Sequence, residues 1–158
     1  MNESLIQKNI KVLVFCLVVI NLQTALLSSF AALPFNLAFS SILVIASLLG
    51  IYESVLAAMI LCIGSSLLVY DHHIFWLYPL IALIANRINP PQISDKLLIC
   101  IIYNLTFTPL IELLHPNVNY MDRILMAMLT NLLCSIPLFF IVKFFFSTNS
   151  RSLYTRIR

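Results

Sequence analysis

Charge is what this chain has least of: only 9% of its 158 residues are Asp, Glu, Lys or Arg. A soluble domain carries roughly a quarter of its residues charged, so a water-facing globular surface is excluded. Glycine is almost missing as well, with Gly50 and Gly64 the only two. Two isolated glycines rule out a glycine-rich phosphate loop, and they argue against the broken, glycine-hinged helices of many secondary transporters. The four cysteines, Cys16, Cys62, Cys100 and Cys134, lie far apart with no CxxC pair. Each sits in an apolar run and reads as a small packing residue. No GxSxG, HExxH or P-loop pattern occurs, so neither catalysis nor a cofactor nor a metal site is expected.

What the chain does have is hydrocarbon. Apolar residues make up 61% of it and the mean hydropathy is +1.02. Apolar runs recur along the whole length, several of them long enough to cross about 30 Å of lipid. Breaks between them define six candidate spans, at about 9–30, 35–51, 54–70, 74–88, 96–114 and 124–146, followed by a basic tail over 147–158. Pro34 ends the first, because a proline pushes the residue before it out of the helical region. Tyr52 and Glu53 separate the second from the third, which predicts a tight hairpin or a bent re-entrant pair. Asp71-His72-His73 opens the short fourth, and Asn89-Pro90-Pro91-Gln92 closes it. The expected fold is all-α: one polytopic domain, a bundle of about six transmembrane helices, with no sizeable extramembrane loop and no cleavable signal.

Basic residues set the orientation, since Lys and Arg in short loops stay cytoplasmic. Threading six spans puts Lys8, Lys11, Arg87, Lys96, Lys143, Arg151, Arg156 and Arg158 on one side and only Arg123 on the other. Both termini are therefore expected in the cytoplasm. The same asymmetry accounts for the net charge of +3, and nucleic acid is not an expected partner.

Polar side chains inside apolar spans mark faces turned away from lipid. The clearest stripe is Asn104, Thr108, Glu112 and His115, at steps of four, four and three along the fifth span. Those steps keep one helix face. The stripe reads either as a partner or ligand face or as ordinary interhelical hydrogen bonding. Asn21, Thr24 and Ser28 share a face of the first span; Asn36, Ser40 and Ser47 lie in the second; Gly64-Ser65-Ser66 in the third. Helix packing is the expected role of these sets. A composite site from Asp71, His72, His73, Glu112, His115 and Asp122 lacks metal-ligand spacing. Asn119-Tyr120-Met121-Asp122-Arg123 is superficially like the acidic motif of lipoprotein signal peptidases. Those enzymes need two carboxylates that share a proton, and Asp95 falls on the opposite predicted side.

Small size, six spans and short loops, together with three segments, resemble the rod shape-determining protein MreD family. The segments are Leu33-Pro34-Phe35-Asn36-Leu37 before the second span, Phe75-Trp76-Leu77-Tyr78-Pro79-Leu80, and Met128-Leu129-Thr130-Asn131-Leu132-Leu133 in the last span. The chain departs from that family's glycine-then-aspartate pattern at the end of the third span: Leu68 stands four residues after Gly64, and the acid comes at Asp71. The resemblance implies a non-enzymatic subunit of the bacterial cell-shape and cell-wall elongation machinery in the cytoplasmic (inner) membrane. Its partners would be an MreC-like bitopic scaffold, peptidoglycan synthases and, indirectly, MreB filaments. The alternative is the substrate-binding membrane subunit of an energy-coupling-factor vitamin transporter, with Trp76, Tyr78, Tyr103, Asn104 and Glu112 lining its site.

The topology is open to direct measurement. In a cysteine-replaced background, new cysteines at Asp71 and Asn117 are expected to label from outside and one at Ser94 from inside; the reverse pattern would overturn the threading.

Overall fold

A computed structural model describes residues 5–29, 36–68, 76–88, 90–114 and 120–147. Among these residues there are six helices and no strand: α1 Leu5–Ser29, α2 Leu37–Leu48, α3 Ile51–Leu68, α4 Leu77–Ala85, α5 Ile93–Leu113 and α6 Tyr120–Ser147. The order of elements is the expected one; the ends differ. Both α5 and α6 begin earlier than their apolar runs and take in Asp95 and Asp122, each in a first turn. Acidic side chains there complement the positive end of the helix dipole, so the helix runs on past the hydrocarbon signal.

The expectation of six full crossings is met in part. Three helices, α1, α5 and α6, are long and apolar enough to cross a membrane, which makes the chain a membrane-embedded one. At 1.5 Å per residue, the 12 residues of α2 reach about 18 Å. The nine residues of α4 reach about 14 Å. Neither equals the hydrocarbon thickness as a straight helix. The turn between α2 and α3 also moves: it falls at Leu49-Gly50, and Glu53 belongs to the first turn of α3.

The short helix lies at the centre. Every residue of α2 from Leu37 to Ser47 is buried, and α2 packs against each of the other five helices. The largest fully buried side chains include Tyr78, Phe39 and Phe139; the rings of Phe39 and Tyr78 lie 5.9 Å apart. Outward-facing residues are large and apolar too, among them Leu67, Met121, Leu133 and Phe144. A surface of that kind is stable in lipid and would aggregate in water.

A helix that ends inside a bundle leaves backbone groups that lipid cannot satisfy. At the C-terminal end of α2, Asn86 Nδ2 donates to the carbonyls of Ala46 (3.1 Å) and Leu49 (3.0 Å), and lies 3.2 Å from Ser54 Oγ. Lys8 Nζ and Glu53 Oε1 pair at 3.1 Å beside the same turn. The N-terminal end of α1, the α2–α3 turn and the end of α4 thus gather at one end of the bundle. Pairs within membrane bundles contribute about 0.6 kcal/mol each on average. Asn86→Leu removes three bonds and leaves carbonyls bare, so it is expected to cost about 2 kcal/mol; thermal unfolding in mild detergent should show the fall against wild type.

Candidate functional site

Asparagine in an apolar helix is stable only if its amide finds partners, and Asn36 finds three. Its Oδ1 accepts from Phe39 N–H at 2.9 Å, the usual N-cap bond. Its backbone N–H donates to Asn131 Oδ1 at 2.8 Å, and its Nδ2 donates to the Tyr78 hydroxyl. One residue therefore ties α2 to α4 and α6. Ser40 Oγ adds a 3.3 Å bond to the Asn131 carbonyl. The Ala38 N–H, another free donor of the first turn, is taken by Gln23 Oε1 from α1 at 2.7 Å. The start of α2 is thus closed by side chains from three other helices and by its own cap.

The α5 stripe lies next to this cluster. Asn104, Thr108 and Glu112 are all buried, so the predicted face points into the bundle, where α5 packs on α6 and α2. Glu112 Oε2 accepts from Arg123 Nε at 2.8 Å across the α5–α6 pair. The carboxylate is nearly enclosed while the Arg123 side chain is about one-third exposed, at 10% and 35%. A guanidinium paired with an enclosed carboxylate offsets the desolvation of the acid, and the pair clamps the two long helices together. Asn104 Nδ2 donates back to the Cys100 carbonyl at 3.0 Å. His115 lies outside the described residues, as do Asp71, His72 and His73.

Among the described residues, four buried oxygens have no hydrogen-bond partner: Ser41 Oγ, Tyr103 Oη, Asn104 Oδ1 and Thr108 Oγ1. Three of them come from α5, with Asn104 and Thr108 one turn apart. Groups of this kind cost about 1–3 kcal/mol each when left bare, so the strip along α5 holds unsatisfied hydrogen-bonding capacity. Trp76, expected to line a ligand site with them, is exposed, whereas Tyr78 is fully buried and committed to Asn36. Among the described residues no three His, Cys, Asp or Glu side chains group closely enough to hold a metal ion.

Sequence reasoning singled out the stripe and passed over Gln23 and Asn86. The signal was present in both cases, since each is an amide within an apolar run. Asn131 stood in a segment behind the family resemblance without a role of its own, and Tyr78 was expected to line a ligand site. Comparisons of the chain with protein-family models, with curated proteins and with solved structures found no match.

The Glu112–Arg123 bond is measurable by a double-mutant cycle. Arg123→Leu is expected to destabilise the wild-type chain by about 2 kcal/mol more than it destabilises Glu112→Leu, as for a hydrogen bond to a charged group. Thermal unfolding of the four proteins in one detergent gives the coupling. Additive losses would mean that the two side chains do not act on each other.

Proposed function

We propose that this protein is a non-enzymatic membrane subunit of the bacterial cell-shape and cell-wall elongation machinery, similar to MreD. In this reading it crosses the cytoplasmic membrane six times with both termini inside. It binds an MreC-like bitopic scaffold through its helices, and through the scaffold it meets peptidoglycan synthases and MreB filaments. The supporting observation is where the three segments behind the resemblance meet. Asn36, Tyr78 and Asn131 come one from each segment, and they join in a single hydrogen-bonded cluster. Residues scattered over 95 positions that share one knot are what a common bundle architecture requires. The short α2 and α4 are accommodated as half-length helices, α2 at the centre and α4 beside it, with local thinning of the bilayer or tilt of their neighbours.

The mechanism is recognition, not bond chemistry. A bundle whose polar side chains are mostly used internally presents a firm apolar exterior, and a partner helix binds such a surface by close packing. The four bare oxygens around α5 favour a second reading, the substrate-binding subunit of a vitamin transporter, because acceptors of this kind suit a polar guest.

Native purification in mild detergent, with mass spectrometry of the accompanying proteins, separates the two. A bitopic scaffold with cell-wall synthases is the expected result. A pair of cytoplasmic ATPases with a coupling membrane protein would replace it with the transporter reading.

A further inference from the structure

The first helix carries a second pattern on the side turned away from the bundle. Val12, Phe15, Cys16, Val19 and Gln23 are its buried residues. Ile10, Val14, Leu17, Asn21 and Thr24 lie on the opposite side, and all five are exposed. Their spacing is four, three, four, three, the heptad seam of a left-handed helix pair. Read as a heptad, Val14 and Asn21 take the a positions, and Ile10, Leu17 and Thr24 the d positions. Val14 at a with Leu17 at d is the combination that favours two parallel strands, and a single asparagine at a fixes register and partner number. The buried residues of the same helix fall at b, c and f, so the seam is free while the helix stays packed on its own bundle. Val14, Leu17, Val18, Asn21 and Leu22 line a shallow groove of about 590 Å³ there.

Asn21 makes the groove more than a lipid-facing surface. Its Nδ2 donates to the Leu17 carbonyl at 2.8 Å, which leaves Oδ1 and the second amide hydrogen facing outward. With Lys11 taken as the headgroup level at one end of α1, Asn21 is ten residues further on, about 15 Å deeper, near the midplane of a core about 30 Å thick. An outward amide at that depth has no water to bond. It needs a polar group on another helix at the same depth.

We infer that α1 is a self-association helix: two copies of this chain pair through the Ile10–Val14–Leu17–Asn21–Thr24 seam, with Asn21 bonded to its counterpart. A second copy is the occupant that symmetry favours. Copies inserted with the same orientation run α1 parallel, and a two-fold axis along the membrane normal sets Asn21 opposite Asn21 at identical depth. The amide is both donor and acceptor, so it is its own complement. This pairing does not depend on the morphogenesis reading, because it needs only the chain itself.

The test uses the full-length chain, purified and reconstituted in lipid vesicles at low protein-to-lipid ratio. With the four native cysteines replaced, Leu17→Cys should form a disulfide-linked dimer under mild oxidation. Leu133→Cys, on an exposed face of α6, should stay monomeric. Energy transfer between labelled copies should give a dissociation constant that rises about tenfold in Asn21→Leu, equivalent to about 1.4 kcal/mol at 25 °C. Leucine is at home in lipid, so this variant keeps its fold, and helical content with an unchanged unfolding temperature verifies that. A monomeric wild type, equal crosslinking at positions 17 and 133, or an Asn21→Leu constant equal to wild type would each overturn the pairing. So would crosslinking of Leu17→Cys in native membranes to a different single-span protein and not to a second copy.

Discussion

A helix too short to cross a membrane lies at the centre of the bundle, and the rest of the molecule is arranged around that fact. Both ends of α2 leave backbone donors and acceptors without partners in the helix itself. Asn36 and Gln23 close one end, and Asn86 closes the other. Each of these amides comes from a different place in the chain: the residue before α2, the far half of α1, and the end of α4. Capping therefore does more than end a helix here. It holds α1 and α4 against the centre, and through Asn131 it holds α6.

The same logic explains how polar side chains are distributed over the bundle. Where an amide or carboxylate lies inside, it has been given a specific partner, as with Glu112 and Arg123, or it returns to its own helix, as with Asn104. Ser41, Tyr103, Asn104 and Thr108 are the exceptions, each keeping one bare oxygen. They are concentrated on and beside α5, which places the unsatisfied hydrogen-bonding capacity in one strip. Proline adds to this, because Pro109 within α5 has no N–H to offer the carbonyl one turn earlier.

Much of the architecture was legible because hydropathy and helix geometry answer to the same solvent. Six apolar runs became six helices in the expected order, and the stripe Asn104, Thr108, Glu112 became one buried face because steps of four keep one side of a helix. The ends of α5 and α6 were misplaced since a helix continues into charged residues that hydropathy counts as loop. Asn21 and Thr24 were expected to pack within the bundle, and they lie on its outside. Periodicity shows that residues share a face and is silent about which neighbour that face meets.

Composition and pattern alone determined that the chain is helical and that it belongs in a membrane, because burial of each residue type in lipid has a fixed sign. Tertiary structure decided which helix is central and which amides meet. Asn36, Tyr78 and Asn131 are far apart in sequence, and no local rule brings them together; their bonds arise only when α2, α4 and α6 pack. The length of α2 was likewise settled by packing. Its flanking residues are apolar enough to extend a helix, but Leu49 turns to an extended conformation, and Asn86 stands ready to take the carbonyls that the turn exposes.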